Sequence, residues 1–158
     1  MTMRLWIAML VACCAFGCGG GADTKLDAKK RPTFPVSGTV TYKGMPVAEA
    51  VVTFRSTGMG ATVAAAGTTD SSGNFTLTTY KGGDGAVEGK HVVSVIKTVV
   101  EGFDPSYSDV NSPNYGKPAP KTTTKYLVPE KYSSFDKSGL TADVPKGGAS
   151  DVKLELKD

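Results

Sequence analysis

VSGTVTYKGMPVAEAVVTF, residues 36–54, alternates, turns and alternates again. In its first part Val36, Val40 and Tyr42 fall on one side of an extended chain and Ser37, Thr39 and Thr41 on the other. That period of two is the pattern of a half-buried strand. KGMP at residues 43–46 supplies turn chemistry, glycine through its access to positive φ and proline through its fixed φ. AVVTF at 50–54 then predicts a second strand, rich in the β-branched and aromatic residues that suit a pleated surface.

Downstream the same alternation of strand and turn continues. ATVAAAGTT, residues 61–69, predicts a weaker strand, because alanine is a poor strand former. DSSGNF at 70–75 reads as a hairpin turn, FTLTT at 75–79 as the strand leaving it, and GGDG at 82–85 as a loop. HVVSVIKTVV, residues 91–100, is apolar on both faces, Val93 and Val95 one way and Val92 and Ile96 the other, so it predicts a central strand covered on two sides. LTADV at 140–144 and VKLEL at 152–156 alternate once more, with Val152, Leu154 and Leu156 inward and Lys153 and Glu155 outward. Seven short strands between turn signals, with 19 glycines and no long segment of helical period, predict an all-β sandwich.

One segment breaks the spacing. Residues 101–126 hold Pro105, Pro113, Pro118 and Pro120, show no alternation, and read as a long Pro- and Tyr-rich loop, mainly a mobile surface excursion. A connection of that length inside a small domain is functional or disordered. Its Tyr107, Tyr115 and Tyr126 are the candidate ligand contacts, with Phe103 beside them and the GGDG loop as a second candidate surface.

Upstream, MTMR precedes LWIAMLVACCAF, residues 5–16, a run without a charge. A short basic start and an apolar stretch of about a dozen residues suit a secretory signal and fall short of the roughly 20 needed to span a bilayer. All three cysteines of the chain, Cys13, Cys14 and Cys18, lie here. AFGC at 15–18 resembles the lipobox of bacterial lipoproteins, in which a diacylglyceryl group is attached to the cysteine, signal peptidase II cuts before it, and fatty acids such as palmitate complete the anchor. Ala15 and Phe16 depart from that pattern; LVAC at 10–13 fits it better but leaves a very short apolar run. Cys18 is therefore the expected lipidation site, Cys13 its alternative, and secretion without lipid a third reading. The expected organisation is a signal peptide at 1–17, a lipidated flexible tether at 18–34 and a β-sandwich domain at 35–158. Such a domain would carry no thiol to mispair in an oxidising compartment.

Losing residues 1–17 would remove only Arg4 among the charges and leave 17 basic against 15 acidic side chains. That near balance argues against a nucleic-acid partner, which calls for a basic face. KKRP at 29–32 lies within the tether, where basic residues near an anionic surface gain about 1 kcal/mol each.

Taken together, VSGTVTYKGMPVAEAVVTF, GTTDSSGNFTLTT at 67–79 and GAVEGKHVVSV at 85–95 resemble the carboxypeptidase regulatory-like domain, over residues 36 to about 98. The closing stretch at 129–156 is similar to the end of small bacterial surface lipoproteins built on that domain. The resemblance implies a transthyretin-like (prealbumin-like), seven-stranded Greek-key sandwich that serves as a folding, spacing or adhesion module and carries no catalysis of its own. Enzymes of that fold class need residues missing here. Transthyretin-like hydroxyisourate hydrolases use several histidines and intradiol dioxygenases two, whereas this chain has His91 alone.

Other chemistry finds little support in the sequence. No Gly-x-Ser-x-Gly elbow and no zinc spacing occurs. DSSGN at 70–74 echoes a calcium loop, but Gly73 is fourth rather than sixth and the twelfth position is Lys81, so a turn is the better reading. An intramolecular isopeptide bond could draw on Lys43 or Lys97 with Asp143 or Asp151 and Glu49 as helper, although the usual strand-terminal Asn is missing. His91, beside Lys90 at a strand start, reads as a surface or interface side chain. The expectation is a non-catalytic envelope lipoprotein without cofactor or metal, exposed to the periplasm or the cell surface. Its partners would be the membrane, through the N-terminal lipid, and an envelope protein or a glycan. A carbohydrate-binding module and an accessory subunit of an envelope complex are the alternatives.

Overall fold

Residues 30–58 and 62–158, which the computed structural model describes, form twelve strands: β1 (Thr33–Phe34), β2 (Val36–Tyr42), β3 (Met45–Pro46), β4 (Val51–Ser56), β5 (Ala64–Thr68), β6 (Asn74–Thr76), β7 (Ala86–Val87), β8 (Gly89–Ile96), β9 (Thr98–Glu101), β10 (Thr123–Tyr126), β11 (Leu140–Val144) and β12 (Ala149–Leu156). The seven segments read from alternation are β2, β4, β5, β6, β8, β11 and β12. One antiparallel sheet has the order β11-β8-β4-β5. The other has β2 between β12, which runs parallel to it, and the antiparallel β3 and β6. A bridge from Ala66 to Thr78 links β5 to the chain just past β6 and joins the two sheets at that corner.

Alternation decides what lies between the sheets. Val36 and Val40 of β2 and Leu154 and Leu156 of β12 pack against Val52 and Phe54 of β4 and Val93 and Val95 of β8, all buried. Phe75 meets Phe54 with ring centroids 6.1 Å apart and tilted, the geometry aromatic pairs prefer. Two turns explain the sequence motifs beside this core. Lys43 (φ 54°) and Gly44 (φ 78°) form a two-residue hairpin of the primed type, whose twist matches the strands it joins. Gly38 in the middle of β2 is required by packing: a Cβ there would lie 2.1 Å from the Val152 carbonyl oxygen and 2.9 Å from the Phe75 ring. The β12 ladder is irregular at that point, its register shifting between Ala149 and Val152.

Several expectations need correction. The apolar run 91–100 is not one strand; β8 stops at Ile96, and beyond Lys97 every residue of β9 is exposed. Up to Ile96 the two-sided cover holds. The core lies on one face, and on the other a helical turn at Phe135–Ser138 reaches back to the strand. The Ser138 hydroxyl donates to the Val93 carbonyl at 2.6 Å, and the Phe135 ring lies 4.2 Å from the Arg55 guanidinium. His91 is no surface residue. It takes the inward position next to Val93 and Val95 and is 1% exposed.

The compact unit runs from Arg31 to Asp158. Thr33 and Phe34 pair with Val87 and Ala86 as β1–β7, and the Arg31 guanidinium donates to the Glu88 carbonyl at 3.5 Å. The expected signal peptide and the expected lipidation site, Cys18 or its alternative Cys13, lie outside the described residues.

Candidate functional site

Beyond Ile96 the chain leaves the sandwich as a two-stranded ribbon, β9 with β10, whose strands, among the described residues, pair only with each other. The region read as loop is therefore bounded by strands, and β10 is a strand the alternation did not reveal. Its Thr123, Thr124 and Tyr126 were the available signal, since Thr and Tyr favour strands. The register pairs Thr98 with Tyr126 and Val100 with Thr124, which places Val100 and Tyr126 diagonally on one face. The opposite face carries Val99 with the ion pair of Glu101 and Lys125, Oε1 to Nζ 3.5 Å.

Between the strands the chain is a series of side-chain-capped turns. The Asp104 carboxylate accepts the Ser106 N–H at 2.9 Å and starts a 3-10 turn at Pro105–Tyr107. Asp109 accepts the Asn111 N–H at 2.9 Å, and the Asn114 amide donates to the Ser106 hydroxyl at 3.0 Å. Hydrogen bonding to Ser106 also holds the Asp104 carboxyl below the usual carboxylate range. The segment thus has a defined shape built from local Asx chemistry and prolines. It buries little: Phe103 is 65% and Val110 70% exposed, with Val99, Val100, Tyr115, Tyr126 and Leu127 exposed as well. Tyr107 sits half-buried in the 3-10 turn, Tyr115 is exposed in the turns between the two strands and Tyr126 lies on β10, so the three tyrosines are on separate elements.

The second candidate surface, GGDG, is an internal brace. The Asp84 carboxylate accepts the N–H groups of Thr79 (2.7 Å), Tyr80 (3.0 Å) and Lys81 (3.1 Å), and the Thr33 hydroxyl reaches it at 3.5 Å. Burial alone would push its pKa up, but these donors bring it below the usual range. Gly85 (φ 81°) is fixed in the same loop, because a Cβ would overlap the Phe34 carbonyl oxygen at 1.8 Å. A carboxylate so engaged has little capacity left for a ligand.

DSSGN is a turn, as its spacing predicts. Asp70 Oδ1 accepts the N–H groups of Ser72 and Asn74, both at 2.8 Å, while Oδ2 accepts the Asn74 amide at 3.2 Å. Of the lysines considered for an isopeptide bond, Lys43 Nζ pairs with Asp158 and Lys97 Nζ with Glu49, the acid read as helper, each at 2.8 Å. Among the described residues no group of three or more His, Cys, Asp or Glu side chains could hold a metal ion, and no helix is long and apolar enough to cross a membrane. A cleft of about 350 Å³ lies along β8 and β11, lined by Thr57, Lys90, His91, Val92, Thr141, Ala142 and Asp143.

No protein-family model and no curated protein sequence matches the chain. Among solved structures the chain is similar to a 9R-lipoxygenase from Cyanothece PCC8801, with 14% identity over 80% of this chain and a TM-score of 0.38. The match spans 16% of the lipoxygenase chain, and a likeness of that degree assigns neither fold family nor activity.

Proposed function

We propose that the chain is a bacterial envelope lipoprotein, anchored through lipid on Cys18, whose β-sandwich is a non-catalytic module that presents the β9–β10 ribbon to a partner. On this reading the sandwich is of the transthyretin-like, Greek-key kind found in carboxypeptidase regulatory-like domains. The two four-stranded sheets with seven principal strands, the primed turn at Lys43–Gly44 and the Asp70–Asn74 hairpin support that assignment.

The observation that carries the functional reading is the ribbon. An isolated two-stranded ribbon is marginal in water, and this one exposes both faces together with valines and aromatics. It also has a place. The chain joins the fold at Arg31 beside Glu88, next to the start of β8, whereas the ribbon departs from the other end of that strand. Seven residue steps along β8 separate the two ends by about 23 Å at ~3.3 Å each. A lipid tether leaving at Arg31 would hold one end toward the membrane and leave the ribbon at the other, and tethering raises the local concentration of any module that meets a partner at that surface.

Two measurements test this. Intact mass and N-terminal fragmentation of the native protein, extracted from membranes by detergent, should show the diacylglyceryl adduct on Cys18; an unmodified chain from the soluble fraction would end the lipoprotein reading. Native purification should then bring down a stoichiometric envelope partner that a Val100→Asp variant loses. Binding to a glycan array, lost on Tyr107→Ala or Tyr115→Ala, would instead favour the carbohydrate-binding alternative.

A further inference from the structure

We propose that His91 is an acid switch built into the sandwich: where β4, β8 and β11 meet, the fold admits only a neutral imidazole, so proton uptake on this side chain accompanies unfolding. Nδ1 lies 2.9 Å from the Gly89 carbonyl oxygen. A carbonyl only accepts, so Nδ1 carries the hydrogen and Nε2 is left with a lone pair. Nε2 is buried and has no hydrogen-bond partner. The ring packs 5.9 Å from Phe54 and, across the ladders, faces Ser56 of β4 and Ala142 of β11.

The charged groups around it do little to welcome a second proton. Burial is the main influence and holds the imidazole below its ordinary value; the Gly89 carbonyl opposes this, Arg31 reinforces it, and Asp143 on β11 opposes it again. The Arg31 guanidinium sits at the Glu88 carbonyl, the peptide next to the one His91 uses, and its own Nη1 is buried without a partner. Lys90 and Arg55 take the opposite positions in the alternation of their strands, and Arg55 is engaged with Asp136. An imidazolium here would be a buried charge beside a like charge, which proteins avoid by staying neutral.

The direction of the pH effect follows. As pH falls below about 6.5 the unfolded chain takes up a proton on this histidine while the folded chain does not, so stability is lost from there downward until the folded ring also titrates. The chain has one histidine, so no other side chain has an ordinary pKa in the window from pH 5.5 to 7.5. For a ring that stays neutral at pH 5.5, the folding equilibrium constant should drop about tenfold between pH 7.5 and 5.5.

The test is urea unfolding of the full chain in mild detergent at both pH values, followed by circular dichroism, for the wild type and for His91→Phe and His91→Leu. The expected result is the tenfold loss in the wild type and a flat response in the variants. Nitrogen-15 NMR of the imidazole in the folded wild type gives a second measurement that needs no variant. A ring neutral at pH 5.5 with its hydrogen on Nδ1 supports the switch. A ring titrating near 6.5 in the folded protein, or variants that lose stability as steeply as the wild type, would overturn it.

Discussion

Val93 and Val95 have no solvent exposure, while Val99 and Val100, a few residues on in the same apolar run, are 41% and 49% exposed. Nothing in their side chains separates the two pairs. What differs is the neighbourhood. β8 has β4 on one edge, β11 on the other, a core on one face and the Phe135–Ser138 turn on the other, whereas β9 has β10 alone. Burial is thus a property of the partners a strand finds, and apolar residues without an intramolecular partner mark the place where the chain has more surface to lose. The sandwich explains the stability of the molecule, and the ribbon is where its function is sought.

The largest test of that division is Phe54→Ala. Phe54 is fully buried and touches the rings of Phe75 and His91 from the middle of β4. Losing it should cost about 3–5 kcal/mol in urea unfolding. A cost below about 1 kcal/mol would mean that the core can collapse around the gap and that the two sheets are held mainly from outside.

Gly38→Ala should cost somewhat less, about 3 kcal/mol, by overpacking rather than by a cavity. The added methyl meets the Val152 carbonyl and the Phe75 ring at once, so β12 has to move off β2. Slower hydrogen exchange at Leu154 and Leu156 in this variant than in the wild type would contradict the clash.

Thr69→Val, nearly equal in volume, isolates a polar contribution to the same core. The Thr69 hydroxyl donates to the Val47 carbonyl and accepts the Ala50 N–H, each at 2.7 Å, and is buried. The substitution leaves both backbone groups without a partner, and about 2 kcal/mol of destabilisation is expected. A neutral result in thermal unfolding would show that water enters the site.

How much of this could be read in advance follows the same boundary. The seven principal strands were legible because each has one wet and one dry face, and alternation records that directly. Asp70 and Gly73 announced their hairpin because the Asx turn uses the chemistry their spacing suggests. His91 was misread because a single histidine carries no period of its own; only its place in the alternation with Val93 and Val95 shows that it points inward. The ribbon was misread for the converse reason. Both of its faces are exposed, so no alternation marks where β8 ends and β9 begins, and the proline-rich stretch hid β10, the second strand of the pair closed by Glu101 and Thr123. Asp84 gave no signal either, because its role lies in three N–H groups that only the folded loop gathers.

The smallest expected effect on stability is therefore the most informative about function. Val100→Ser combined with Tyr126→Ser removes apolar groups from one face of the ribbon without opening a cavity, since both are exposed and neither belongs to the core. Surface changes of that kind alter stability by no more than about 0.5 kcal/mol. On the proposed reading the variant should unfold at the wild-type urea midpoint while native purification loses the envelope partner. If the unfolding midpoint instead fell as far as it does for a core truncation, the ribbon would be packed against the sandwich in solution and its valines would need no partner from outside. Unchanged stability with the partner retained would move the contact to the turns between the strands, where Phe103 and Tyr115 are the next residues to replace.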